Sequence, residues 1–292
     1  MLTCDPTATY TDTTNKGFIA RWIKIKQRKE VQFYGRLHSY LCKVPLYLLP
    51  GIRLQIKLTK ARPSFYLINE TADSKTIFRF LDAQLIVKSI KPHHMILLSH
   101  HTTLENGFLA RYNFTKVELK SFTFSSGSKY LSIDNAALGP IPKRLFFTME
   151  NNSDFNGSLD TNPFTFRHYD INHFTLLVNG KQVTNEGLPL VTDHKKTSVM
   201  GYKSLFEGCG IRHSNSGLQI THMYISGYFM LLFDLTPDQG ASEGHASHAE
   251  NCNIRIELRF NKPLPDAITC LLYLEFDNSV RINKIRTVST DF

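Results

Sequence analysis

Apolar and polar residues alternate along much of this 292-residue chain, in about ten separate segments. The run of segments begins at residues 34–42 and closes at residues 271–277. Successive side chains of a β-strand point to opposite faces, so this period predicts strands with one buried face. No repeat of fixed length links the segments, which argues against a propeller or a solenoid. The pattern therefore predicts one long all-β structure.

Turn residues separate the predicted strands, and two helical segments interrupt them. Asn179–Gly180 is a strong hairpin signal, because both residues accept positive φ. One helix is predicted after Pro92 with Gly107 as its C-terminal cap, and a second over residues 198–206, ending at Gly208. The predicted strands are residues 52–58, 64–69, 77–90, 116–124, 143–149, 174–178, 181–183, 228–234, 253–260, 269–276 and 280–285.

Many strands, few helices and long connections favour two packed sheets. We expect an all-β jelly-roll sandwich or barrel with long loops and one or two short helices. The Thr-, Asp- and Pro-rich start predicts an N-terminal arm or the remnant of an inter-barrel linker over residues 1–30. The rest, residues 31–292, is expected to form a single jelly-roll domain with elaborated loops.

The charge balance is basic, with 34 Lys and Arg against 25 Asp and Glu, for a net charge of +9. A basic balance suits nucleic acid, an anionic surface or nothing specific. The one dense cluster is RWIKIKQRK over residues 21–29, which predicts either a solvated basic arm or a weak, nonspecific DNA contact. Its cations are Arg21, Lys24, Lys26, Arg28 and Lys29.

The five cysteines are odd in number and form no Cys-x-x-Cys pair. This usage is typical of a reducing compartment rather than of a disulfide scaffold, so we expect an intracellular protein of the nucleus or cytoplasm. The first residues carry neither a basic region nor an apolar core like those of a secretory signal. No apolar run reaches the 18 residues or more of a membrane helix, so no membrane partner is expected.

Enzyme signatures are not recognisable in the chain. No Gly-x-Ser-x-Gly, P-loop or Gly-x-Gly-x-x-Gly occurs, and no His-x-His pair suits a cupin metal centre. His245 and His248, with Cys252 in the same loop, suit zinc by ligand type, but a third and a fourth ligand are not in sight. His94 and His101 are seven residues apart on the predicted helix, about 10 Å along its axis, too far to share one ion. We expect no catalytic residue, no metal and no cofactor.

Two classes of non-enzymatic function remain open at this point. One is a structural protein that acts through packing and self-association, with contact regions in the loops 150–170, 184–224 and 236–252. The other is a jelly-roll binding module that recognises carbohydrate or protein. In the second, Tyr169, Tyr202 and Tyr224 could stack on sugars, although core packing is the alternative for each.

A series of short motifs resembles a known family in sequence and in order. The motifs are GRLH at residues 35–38, YLLPGIRLQIKL at 47–58, LGPIPKRL at 138–145, DFNG at 154–157, NPF at 162–164, HYD at 168–170, FDLTPD at 233–238, RIELRF at 255–260 and EFDN at 275–278. Together they resemble the major capsid proteins of Polinton (Maverick) elements and adintoviruses, over residues 17–292.

The resemblance implies a viral capsid-type double jelly roll, like that of adenovirus hexon. In that family three chains form a pseudo-hexameric capsomer, which tiles an icosahedral virion and meets minor capsid or penton proteins. The match covers mainly the second jelly roll, because residues 1–30 are too few for the eight strands of the first. We therefore expect a shell subunit, or a truncated or domesticated genomic copy of one.

Overall fold

A computed structural model of the chain describes residues 23, 30–39, 41–67, 78–159, 161–184, 186–191, 198–211, 224, 227–242 and 250–290. Four α-helices lie in these residues: α1 Pro63–Tyr66, α2 His94–Glu105, α3 Asn152–Asn156 and α4 Val199–Gly208, with a 3₁₀ turn at Leu41–Lys43. The strands are β1 Ala110–Phe124, β2 Tyr130–Pro140, β3 Arg144–Asn151, β4 Ile171–Val178, β5 Lys181–Gln182, β6 Leu188–Pro189, β7 Met230–Asp234, β8 Asn251–Phe260, β9 Ile268–Ile282 and β10 Val288–Thr290.

The strands form two antiparallel sheets with nested pairing. One sheet has the order β1-β9-β3-β7, with β10 also on β9, and the other has the order β2-β8-β4-β5, with β6 also on β4. The first strand thus pairs with the ninth, the second with the eighth and the third with the seventh, and consecutive pairs go to opposite sheets. Nested antiparallel pairs divided between two sheets are the topology of a jelly roll. The predicted fold class is confirmed.

The core lies between the two sheets and is built by alternate residues of each strand. On β8 the burial alternates strictly, so that Ile254, Ile256 and Leu258 face inward and are fully buried. Phe174 of β4 stacks on Phe233 at 5.2 Å and lies 4.9 Å from Phe147, measured between ring centroids, and both partners belong to the opposite sheet. Offset and tilted aromatic contacts of this kind add to the free energy of apolar burial.

The predicted hairpin and the two longer helices are confirmed. Asn179 and Gly180 have φ of 53° and 77°, as a two-residue hairpin turn requires. Helix α2 lies where the first helix was predicted, and Gly107 beyond its end has φ 86°. Helix α4 ends at Gly208. The short helices α1 and α3 were not predicted. No helix in the described ranges is long and apolar enough to cross a membrane.

The predicted start of the strand run is wrong. Residues 52–58 and 78–90 are not in strands, and Pro63–Tyr66 is helical where a strand was predicted over 64–69. Proline at the first helical position favours that helix, because its fixed φ suits it. Alternation describes only the faces of a segment, whereas a strand also needs a neighbour for its backbone. The first strand of the sandwich therefore begins at Ala110.

Candidate assembly surface

The residues singled out as metal ligands are not brought together. His94 and His101 are exposed on α2, whereas Cys252 is buried on β8, where burial raises the pKa of its thiol. His245 and His248 lie outside the described residues. Among the side chains that the structure describes, no group of three or more His, Cys, Asp or Glu residues could hold a metal ion.

The three tyrosines considered for sugar stacking are packed into the protein. Tyr224 is fully buried, and its hydroxyl donates a hydrogen bond to the Met230 carbonyl at 2.7 Å. Burial raises the pKa of this phenol. Tyr202 packs edge-on against Phe206 and Tyr224, with centroids 4.7 and 5.5 Å away, and Tyr169 is half-buried. These contacts favour core packing over a stacking platform.

The described parts of two predicted contact loops are tied to the sandwich. Helix α4 packs on β7 so closely that a β-carbon on Gly208 would collide with Leu232. In the loop after β7, the Asp234 carboxylate accepts hydrogen bonds from the backbone N–H groups of Thr236 and Ala241, at 2.9 and 3.0 Å. A cleft of about 160 Å³ lies between α4 and β7. Small-molecule sites usually exceed about 300 Å³.

The outer face of the β1-β9-β3-β7 sheet carries a row of apolar side chains across its strands. In the backbone register Leu232 neighbours Phe146, Phe146 neighbours Tyr273, and Tyr273 neighbours Leu119. The Phe146 and Tyr273 rings meet edge-on, with centroids 5.2 Å apart. Exposure increases along this apolar row, from 1% at Leu232 to 62% at Leu119. The row thus ends, exposed to solvent, on β1.

β1 is also the edge of its sheet. All fifteen of its residues pair with β9, and within the described part of the chain no strand lies along its other side. An unpaired edge presents backbone N–H and C=O groups that can accept another strand. Lys116 and Glu118 on this strand form an ion pair at 3.0 Å. Exposed pairs of this kind contribute little to stability.

The segment before β1, residues 41–67, is anchored to the sandwich at both of its ends. Near its start, the Tyr112 hydroxyl donates to the Tyr47 carbonyl and accepts from the Leu49 N–H, each at 3.1 Å. A β-carbon on Gly51 would lie 3.9 Å from Arg286, in the turn between β9 and β10. The segment therefore contacts the sandwich near the start of β1 and just beyond the end of β9.

At the other end of the same segment, Ser64 and Phe65 contact the region after α3. A β-carbon on Gly157 would lie 2.7 Å from Ser64 Oγ, and the Phe65 ring meets the Phe164 ring edge-on at 5.4 Å. The loop 150–170, predicted as a contact region, therefore contacts a segment of the same chain.

Large apolar side chains that remain exposed are concentrated before residue 110. Within the alternating segment 52–58 the exposed fraction is 49% for Leu54, 40% for Ile56 and 76% for Leu58. On helix α2 only Leu104 is buried, so Met95 and Leu98 lie open to solvent. Extended apolar exposure of this kind marks an interaction surface.

A buried carboxyl pair lies at the end of β3, and sequence reasoning missed it. Glu150 and Asp154 are each 2% exposed, and Glu150 Oε2 has no hydrogen-bond partner. Burial, and secondarily the charge of Asp154, raise the pKa of Glu150 to about 7. Thr161 and Ser153 donate hydroxyl hydrogen bonds to Asp154 Oδ1, at 2.7 and 3.2 Å. No local sequence signal distinguishes Glu150, because its burial arises only in the folded sandwich.

The cluster Arg21, Lys24, Lys26, Arg28 and Lys29, predicted as a DNA contact, lies outside the described residues. Among described residues, Arg111 and Arg281 stand directly opposite each other on β1 and β9. Like charges in that arrangement repel. The region is basic, and Lys284 beyond the end of β9 pairs with Glu105 at 3.6 Å.

Comparisons with known proteins give distant likenesses. No protein-family model matches the chain. The uncharacterized protein F54H12.2 of Caenorhabditis elegans is 23% identical over 187 residues, which are 63% of this chain and 44% of that protein. The chain thus spans less than half the length of this curated relative.

Among solved structures, similar chains occur in viral particles. The Sputnik virophage structure is 13% identical with a TM-score of 0.40, and the match covers 63% of this chain and 39% of that one. The mavirus major capsid protein is 12% identical with a TM-score of 0.33, over 65% of this chain and 43% of that one. The jelly-roll assignment rests on the nested strand pairing of this chain itself.

Proposed function

We propose that this chain is a non-enzymatic structural subunit that associates with further copies of itself, as the subunits of a capsid-type shell do. The observation that carries the proposal is the uneven exposure of apolar residues. The sandwich has a closed core, yet most exposed large apolar side chains lie before its first strand. Burying them in water-free contacts between copies would gain about 25 cal/mol per Å².

The motif resemblance supports a finer assignment within this proposal. It is to the Polinton and adintovirus type of major capsid protein, whose chains form trimeric, pseudo-hexameric capsomers. On this proposal the partners are two further copies in one capsomer and minor capsid or penton proteins in the shell. The chain is then made and assembled inside the cell and ends in the virion.

The oligomeric state of the purified protein tests the proposal. Light scattering over a range of concentrations, with negative-stain imaging, is expected to give trimers or larger particles of uniform size. A monomer at every concentration would contradict it. Particles of irregular size that grow with time would indicate aggregation of the apolar surface instead of assembly, and would also count against it.

A second part of the proposal concerns the basic segment, residues 21–29. We propose that its five cations contact the phosphates of packaged DNA. Because such contacts release counterions, affinity for a DNA duplex is expected to fall steeply between low and high salt. Replacing Arg21, Lys24 and Lys26 by Gln should lower both the affinity and its salt dependence. Binding that is equal at low and high salt would argue against the contact.

We also propose that residues 31–292 form one domain. The anchors at Tyr112, Arg286 and Gly157 support this, because they fix the segment before β1 to both ends of the sandwich. A single calorimetric unfolding transition, in which residues 41–67 become protease-sensitive together with the strands, is expected. Separate transitions would assign residues 31–109 to a second unit.

A further inference from the structure

Residues 52–58 have the side-chain pattern of a strand but no partner strand. Ile52, Leu54, Ile56 and Leu58 alternate with Arg53, Gln55 and Lys57. Within the part of the chain that the structure describes, these seven residues make no backbone–backbone hydrogen bond. Among the described residues, their backbone N–H and C=O groups therefore have no backbone partner.

This segment contacts the sandwich at both of its ends. Gly51 lies against Arg286, beyond the last residue of β9, whereas Ser64 lies against Gly157, near the end of the sheet where β9 begins. The segment between these two contacts therefore spans much of the length of the sheet.

The Tyr112 hydroxyl, which contacts Tyr47 and Leu49, belongs to β1, whereas the two contacts that flank residues 52–58 lie on the other side of β9. Arg286 belongs to the turn that leads into β10, and β10 pairs with β9 on the side opposite to β1. Gly157 follows β3, which also lies on that side of β9. Because both contacts that flank residues 52–58 lie on that side of β9, the acceptor considered for this segment is the β1 edge of a second copy.

The open edge of β1 complements the segment in three respects. Within the residues that the structure describes, it has no neighbouring strand on its outer edge. Its outer face ends the apolar row at Leu119, where an added strand with an apolar side chain would extend that row. Glu118, the only acidic residue of β1, lies on the opposite face, where the cations Arg53 and Lys57 of the added strand would lie.

We propose that residues 52–58 of one copy add as a strand to the edge of β1 of a second copy, with Ile56 beside Leu119 and Lys57 near Glu118. Strand addition at an exposed edge is a common mode of recognition, in which backbone hydrogen bonds supply affinity and alternate side chains supply specificity. The inference rests on the self-association in the proposed function and names the surfaces that carry it. The contact is head-to-tail, so each copy can both donate a strand and accept one.

Cross-linking between two differently tagged copies tests the register. In both, Cys4 and Cys42 are replaced by Ser; one then carries Ile56→Cys and the other Leu119→Cys. Opposed residues of adjacent strands place their β-carbons close enough for a disulfide. We expect a disulfide-linked heterodimer, identified by the mass of its linked peptide. The matched control, Gln55→Cys mixed with Leu119→Cys, directs the thiols to opposite faces and should not give that product.

Two further measurements separate the possible outcomes. Leu58→Lys, at a side chain already 76% exposed, should abolish the higher oligomers and leave the fold intact, whereas Gln55→Lys should leave them unchanged. If Ile56→Cys and Leu119→Cys are combined in one chain and the disulfide forms only within that chain, the proposal is overturned. Oligomers that persist in Leu58→Lys without any cross-link would also overturn it, although the proposed function would then stand. Monomers of the native chain at all concentrations would overturn both.

Discussion

Glu150 makes the stability of this protein depend on pH in a direction opposite to that of most carboxylates. It is the seventh residue of β3, pairs with Thr269 of β9 in the backbone register, and is 2% exposed. One carboxyl oxygen has no hydrogen-bond partner, and Asp154 lies in the same buried corner. Both features favour the neutral acid, so the folded protein binds this proton more tightly than the unfolded chain does.

The magnitude follows from the two pKa values. The ordinary pKa of 4.5 rises to about 7 in the folded protein. The stabilisation is present in full below pH 4.5 and is lost as the pH rises through about 7. The interval of about 2.5 pH units, at about 1.36 kcal/mol for each, corresponds to about 3 kcal/mol of unfolding free energy.

Glu150→Gln keeps the shape of the side chain but removes the titration. Urea unfolding at constant ionic strength between about pH 4.5 and 8 should show the native protein losing about 3 kcal/mol relative to this variant as the pH rises. Glu118→Gln, at a side chain that is 40% exposed, controls for the loss of one negative charge. If the curves of the native protein and Glu150→Gln run parallel over this range, Glu150 is not the buried acid described above.

Three further predictions concern the core and the anchors of the segment before β1. Phe147→Ala removes a fully buried ring that packs against Phe174. It should lower the free energy of unfolding, measured in urea, by about 3–5 kcal/mol. A loss of less than about 1 kcal/mol would contradict this placement of the core. Tyr112→Phe removes the hydroxyl that bonds Tyr47 and Leu49 and should cost about 1–2 kcal/mol, with earlier proteolysis within residues 41–62 and no change in the sandwich. Gly157→Ala, at φ 92° and against Ser64, should release α1 and lower the melting temperature, whereas Gly127→Ala, with open space around it, tests the cost of positive φ alone.

Residues that are buried on alternate positions of long strands could be predicted from the sequence. The segment 253–260 alternates in the sequence and alternates in burial as β8. β2 was missed, because Asp134, Asn135 and Gly139 interrupt its pattern. In the structure Asp134 and Asn135 lie within an irregularity in the pairing with β8 between Ile133 and Ala137, and Asn135 has φ 53°. Gly139, beyond it, has φ 114°. Because turn-forming residues stand inside β2, its alternating pattern was not recognisable in the sequence.

The candidate surface could be predicted only in part. Loops were expected to carry the contacts, but the exposed apolar residues lie in an extended segment, on α2 and at a sheet edge, while two of the predicted loops pack on the sandwich. Neither the free edge of β1 nor the burial of Glu150 is a property of local sequence. Both depend on which strands become neighbours, and that is decided by pairings between residues more than a hundred positions apart.

The alternating side-chain pattern of residues 52–58 calls for a physical explanation, because the structure forms no strand there. Alternating apolar and polar residues give a strand one apolar face and one polar face. The apolar face contributes to stability only where it meets other apolar surface. Among the described residues of one copy, Leu58 does not meet such a surface, since it is 76% exposed. Backbone pairing would add hydrogen bonds to the apolar contacts that such a surface supplies. The alternating pattern of residues 52–58 is therefore the feature that the proposed strand addition to a second copy would use, and the cross-linking experiment tests it.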